Sequence, residues 1–136
     1  MNQGRQRYSQ TILEVNLDKG TVERCSVPAE DVRKFLGGRG VAAALLAREV
    51  AGPTDPFEPA APLIFSMGTL SGTHAPMSGR SNITFVSPAT GLYCKANVGG
   101  HFGIQCALNG IDQIVLRGRS DKPVYLWIDG EHVQLR

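Results

Sequence analysis

The chain has 136 residues, a formal net charge of +2 and 42% hydrophobic residues, the profile of an ordinary globular domain with a single core and not of a disordered tail. Its 14 basic residues are scattered, so the clustered basic stripe of a nucleic-acid binder is missing. No apolar run approaches the ~20 residues of a membrane span, and the polar Met1–Tyr8 stretch lacks the apolar centre of a signal peptide.

The first elements read as a β-hairpin. Thr11–Leu17 alternates apolar and polar residues, Asp18-Lys19-Gly20 turns, and Thr21–Cys25 returns. Pro28 suits the first turn of a helix, with Glu30 and Asp31 near its positive end. Val32, Phe35 and Leu36 fall at the spacing of a buried stripe, and Gly37-Gly38 stops the helix. Val41–Val50 predicts a second helix, ended by Gly52-Pro53, and the proline-rich Pro53–Pro59 is a loop within one domain.

Leu63-Ile64-Phe65 is a short apolar run of the kind buried on both faces. Gly68–Pro76 is a loop, Asn82–Val86 a strand, Ser87–Gly91 a turn and Leu92–Ala96 a returning strand. Phe102–Leu108 has helical spacing, closed by Asn109-Gly110. Ile114–Leu116 and Val124–Ile128 read as strands, and Asp129-Gly130 leads into a last one at Val133–Leu135. The fold class expected is α+β, with strand-rich mixed sheets and a few short helices.

Chemistry concentrates between Ser78 and Gly103. Arg80, between Gly79 and a strand, can fork onto a phosphate or a ring carbonyl, or pair with a nearby carboxylate on the surface. Asn97 precedes Val98-Gly99-Gly100, and these glycines let an anion approach the main chain next to the start of a helix; a plain helix N-cap at Asn97 is the alternative. Gly37-Gly38-Arg39-Gly40 matches neither the dinucleotide fingerprint nor the P-loop, which leaves Arg39 a secondary candidate. His74, His101 and His132 share no metal-ligand spacing; His101 lies beside the cradle as a donor or as a surface residue. Cys25, Cys94 and Cys106 have neither disulfide nor zinc spacing and read as small apolar side chains in a reducing, cytoplasmic compartment. No serine sits in a nucleophile elbow and no carboxylate pair stands out.

A series of motifs occurs in order: Phe35–Gly40, Gly68–Thr73, Ala75-Pro76, Ser78-Gly79-Arg80, Ser87–Gly91, Ala96–Gly100, Phe102-Gly103, Asn109–Val115 and Lys122–Leu126. The series resembles the N-terminal region of the tungsten-containing aldehyde ferredoxin oxidoreductase family, from about Gln10 to the last residue. The resemblance implies an oxygen-sensitive cytoplasmic enzyme with tungsten or molybdenum on two pterins (tungstopterin or molybdopterin). It implies a 4Fe-4S cluster, an aldehyde substrate oxidised to a carboxylic acid, and ferredoxin as electron acceptor. No nucleic acid or membrane partner is implied, and homo-oligomerisation stays open.

By the same resemblance Arg80 contacts one pterin, and the backbone carbonyl of Asn97 helps hold a Mg2+ ion that bridges the pterin phosphates. Gly99, flanked by Val98 and Gly100, belongs to the backbone cradle of the second pterin. Val98 departs from the serine or small residue common there, which removes a side-chain hydroxyl and leaves main-chain donation intact. The family's C-x-x-C-x-x-x-C cluster ligands, its active-site acid and histidine, and the second half of its pterin base are not in this sequence. Residues 1–136 are therefore expected to be the first part of a pterin-binding N-terminal domain within a longer polypeptide, catalytically silent alone. The alternative is a non-catalytic truncated relative acting as an assembly module.

Overall fold

A computed structural model describes residues 9–50 and 52–136, so Met1–Tyr8 lies outside the described residues. The elements are β1 (Thr11–Asn16), β2 (Thr21–Ser26), α1 (Ala29–Phe35), α2 (Gly38–Glu49), β3 (Leu63–Met67) and β4 (Ser81–Val86). They continue with β5 (Tyr93–Val98), α3 (Phe102–Leu108), β6 (Gln113–Arg117), β7 (Leu126–Asp129) and β8 (His132–Leu135). Six strands form one mixed sheet in the order β2-β1-β6-β3-β4-β5, while β7 and β8 pair separately. Within the large sheet β1 and β6 run parallel and the other neighbours antiparallel. The class is α+β, as the sequence led us to expect.

Side chains alternate across a strand, and that alternation sorts the core in two. Ile12, Ile64, Val86 and Val115 face α1 and α2, where they pack with Val32, Val41, Ala42 and Leu46. Leu13, Val15, Met67 and Ile114 face the opposite way, against Cys106 of α3, Ile111, and the hairpin residues Leu126, Ile128, Val133 and Leu135. Charged ties close the helical side. Arg48 of α2 grips both oxygens of buried Asp31 in α1, and Arg117 of β6 reaches Glu49 of α2 and Glu14 of β1. The hydrogen bonds to Glu49, and then to Glu14, raise the pKa of Arg117 against the opposing effect of burial.

Several expectations need correction. In α1 only Val32 of the supposed stripe is buried; Phe35 and Leu36 are exposed. The helix ends at Phe35, and Leu36 takes a left-handed cap (φ 64°) that carries its side chain off the helix face. Helix α2 starts at Gly38, three residues before the apolar run, because Leu36 and Gly37, not the glycine pair, separate the two helices. Strand β3 is not buried evenly: Ile64 is fully covered by α2, whereas Leu63 on the opposite face lies partly open. Strand β5 runs from Tyr93 to Val98, two residues beyond the expected end at Ala96.

This asymmetry in β3 predicts unequal costs of truncation. Ile64→Ala should lower unfolding free energy by about 2–5 kcal/mol, the usual cost of emptying a closed core site. Leu63→Ala should cost about 1 kcal/mol or less. Urea denaturation followed by circular dichroism measures both; equal losses would refute the assigned faces.

Candidate functional site

The β4–β5 hairpin builds the region singled out above. Its register pairs Asn82 with Asn97 and Ser81 with Val98, and β5 is the edge strand of the sheet. The turn fixes which backbone groups are used. Ser87 N–H donates to the Leu92 carbonyl at 2.8 Å, marking a hydrogen-bonded pair, and such pairs recur every second residue. The bonded pairs are then Phe85 with Cys94, Ile83 with Ala96, and Ser81 with Val98. Two side-chain bonds agree: Ser81 Oγ donates to the Val98 carbonyl and Asn82 Nδ2 to the Ala96 carbonyl, so both oxygens face β4. Asn97 falls at a non-bonded pair, and its own N–H and C=O point out of the open edge. Arg80 immediately precedes Ser81 and Gly99 immediately follows Val98, so the two adjoin the last registered pair of the hairpin.

Asn97 is thus a strand residue and not a helix N-cap. That position belongs to His101, whose side chain makes no capping bond. The amide of Asn97 is held from the side: Asn82 Nδ2 donates to Asn97 Oδ1 at 3.2 Å, and Asn82 Oδ1 accepts from Thr84 Oγ1 at 2.9 Å. Asn82 and Thr84 are buried while Asn97 is exposed. An amide buried without partners would cost about 1–3 kcal/mol, and here both ends are satisfied. Sequence reading passed over Asn82 and Thr84; the available signal was their polarity on alternate positions of a strand that α2 covers.

Arg80 is exposed and, among the described residues, has no carboxylate within ion-pairing distance. The pairing alternative is therefore unsupported there. It borders an open cleft of about 740 Å³ with apolar walls from Val32, Leu36, Leu70 and Met77. Gly79 and Gly100 approach closely, since a Cβ on Gly79 would lie 3.6 Å from the Gly100 carbonyl. The main chain thus brings Arg80, Asn97, Val98, Gly99 and Gly100 into one neighbourhood. His101 is exposed beside them, and Arg39 is exposed in the first turn of α2.

The glycines differ in what the fold asks of them. A Cβ on Gly103 would sit 3.0 Å from the Gly79 carbonyl and 3.1 Å from Ser81 Cβ, so packing demands glycine. Gly100 has φ +75°, which itself favours glycine. Gly99 has neither reason: no positive φ, and open space where a Cβ would be. A bare main chain facing outward at an open edge is the geometry of a backbone cradle for an anion.

The cysteines lie on three separate elements, Cys25 on β2, Cys94 on β5 and Cys106 on α3. Cys25 is exposed, Cys94 half-buried and Cys106 buried, where desolvation pushes its thiol up to about 11. Among the described residues no three His, Cys, Asp or Glu side chains gather as a metal site, and no helix is long and apolar enough to cross a membrane.

Fold and edge together define the class: an α+β domain whose open sheet edge offers main-chain donors and acceptors near a guanidinium with no carboxylate partner among the described residues. The chain belongs to the aldehyde ferredoxin oxidoreductase family, whose N-terminal domain profile matches residues 12–136. It is 41% identical over 124 residues to the tungsten-containing aldehyde ferredoxin oxidoreductase of Pyrococcus furiosus, covering 91% of this chain and 20% of that protein. The corresponding protein of Thermococcus kodakarensis is 44% identical over 124 residues, with the same 91% and 20% coverage. Among solved structures, the active site complex BamBC of benzoyl coenzyme A reductase, in complex with 1,5-dienoyl-CoA, superposes with a TM-score of 0.89. It is 38% identical, and the match covers 93% of this chain and 19% of that one. The chain therefore spans about a fifth of the length of the relatives it matches.

Two predictions follow from this geometry. Gly99→Ala should leave unfolding free energy within about 0.5 kcal/mol of the parent, whereas Gly103→Ala should cost about 1–3 kcal/mol; a large loss for Gly99→Ala would mean the fold, not a ligand, needs that glycine. At pH 8 iodoacetamide should modify Cys25 in the folded chain and spare Cys106, whose thiolate is scarce until the pH nears 11. Peptide mass spectrometry reads the outcome, and rapid labelling of Cys106 would contradict its burial.

Proposed function

We propose that this chain is the first part of the pterin-binding N-terminal domain of a tungsten- or molybdenum-dependent oxidoreductase that converts aldehydes to carboxylic acids and hands the electrons to ferredoxin. The observation that carries the proposal is the outward-facing backbone of Asn97 on the edge strand β5, paired with Asn82, with Arg80 and Gly99 adjoining the paired strand ends Ser81 and Val98. Family membership and the tungsten in the relatives' names support the cofactor class.

The residues fit the group. Two pterin phosphates repel each other, and a hard cation with oxygen ligands offsets that repulsion. The carbonyl of Asn97, free of β4, is such a ligand for Mg2+. The guanidinium of Arg80, with no carboxylate partner among the described residues, is available to fork onto a pterin phosphate or ring carbonyl. Gly99, between Val98 and Gly100, adds main-chain contacts at close approach, to which the Val98 side chain contributes no hydroxyl.

When bound, the metal–pterin group supplies the two-electron chemistry at the aldehyde carbon. This segment supplies binding, orientation and compensation of phosphate charge. The ligands of a 4Fe-4S cluster would come from elsewhere in the polypeptide, since Cys25, Cys94 and Cys106 lie on separate elements and are not gathered as a metal site.

The test is cofactor loading. In the polypeptide that carries this segment, expressed without oxygen, Arg80→Ala should lower tungsten or molybdenum and pterin content by about tenfold, the scale of a lost charge-assisted fork. Elemental analysis and pterin fluorescence after oxidation give the two readings. Unchanged occupancy would overturn the role of Arg80.

A further inference from the structure

We infer that Asn82 and Thr84 are positioning residues for the cofactor edge, holding Asn97 from beneath so that its carbonyl stays aimed outward. The inference rests on the reading of the β5 edge given above. Its starting point is a line of residues running across four strands. The register sets Gln113 of β6 beside Ser66 of β3, Ser66 beside Asn82 of β4, and Asn82 beside Asn97 of β5. The first three are 0%, 1% and 7% exposed. The next line on the same face begins Val115, Ile64. Burial alone is served by apolar side chains, as Val86 shows two residues beyond Thr84 on the same strand and face.

The hydrogen bonds give this polar line a direction. Ser66 Oγ donates to the Asn82 carbonyl at 3.2 Å. The Thr84 hydroxyl donates to Asn82 Oδ1 at 2.9 Å, so the Asn82 amide must present its NH2 to β5. That NH2 reaches both the Ala96 carbonyl at 2.8 Å and Asn97 Oδ1 at 3.2 Å. One buried group thereby fixes the strand backbone before Asn97 and the side chain of Asn97 itself. A free asparagine side chain competes for backbone groups near it. With its oxygen held by Asn82, Asn97 is kept from folding over its own edge. Removal of such supporting partners around a metal ligand usually costs 10–100-fold in metal affinity.

The experiment uses the 15N-labelled full chain, with Mn2+ plus inorganic pyrophosphate as the probe. Backbone relaxation is measured first, without the probe. Asn82→Ala and Thr84→Val should lower the order parameters of Asn97 and Gly99, while Thr84→Ser, which keeps the hydroxyl, should restore them. Slow amide exchange at Ile64 and Val115 identifies variants that remain folded, and Thr84→Val serves if Asn82→Ala does not. Unchanged order at Asn97 and Gly99 in a folded variant would overturn the positioning role.

Probe titration follows. In the unaltered chain the Mn2+–pyrophosphate probe should broaden the Asn97 and Gly99 amides, with a midpoint raised about tenfold or more by Asn82→Ala or Thr84→Val and within twofold for Thr84→Ser. Broadening with the same midpoint in all variants would sink the positioning role and leave the edge reading intact. No broadening at Asn97 and Gly99 in the unaltered chain would count against the edge reading itself, while the relaxation data still decide the positioning role.

Discussion

The antiparallel pairing of β4 with β5 is the constraint on which this structure's site depends. Because bonded and non-bonded pairs alternate, a register set at the Ser87–Leu92 turn determines what happens ten residues away at Asn97. A slip of one residue would turn the Asn97 carbonyl inward and expose that of Val98 instead. It would also reverse the faces of the β5 side chains, which takes Asn97 Oδ1 away from the Asn82 amide. The register of the site is therefore held by the Ser87–Leu92 turn and by the side-chain bonds of Ser81 and Asn82 to β5.

An open sheet edge is ordinarily a hazard, since unpaired backbone groups invite another strand. Here the same groups form the part of the chain best suited to a charged ligand. Gly99 continues the edge strand without a side chain, Arg80 leads into β4, and the helical core behind them is closed by charge pairs such as Arg48 with Asp31. Rigid support behind an exposed backbone is what a cofactor platform requires, because positioning groups act only if they do not move.

Much of the fold was legible in local pattern. The β1–β2 hairpin, the β7–β8 pair and the three helices all follow from alternation, helical spacing and turn residues. What failed depended on neighbours remote in sequence. Phe35 and Leu36 satisfy helical spacing, yet the left-handed cap at Leu36 ends the stripe. Asn97 stands before a glycine pair as an N-cap would, yet Asn82, 15 residues earlier, recruits it into β5. Arg80 and Gly99 stand out in the sequence by residue type and motif order. For Asn82 and Thr84 only their alternating polarity was visible, because the bonds they make exist only once the strands are paired.

The central claim is that the backbone of Asn97 and Gly99 faces outward to receive a phosphorylated cofactor. Residue-resolved hydrogen exchange along β5 tests it most directly. In the chain without cofactor, the amides of Cys94, Ala96 and Val98 should exchange slowly and those of Lys95, Asn97 and Gly99 quickly. In the cofactor-loaded polypeptide, Asn97 and Gly99 should become protected while the alternation beside them persists. Protection of Asn97 and Gly99 in the empty chain, or fast exchange at both after loading, would contradict the account.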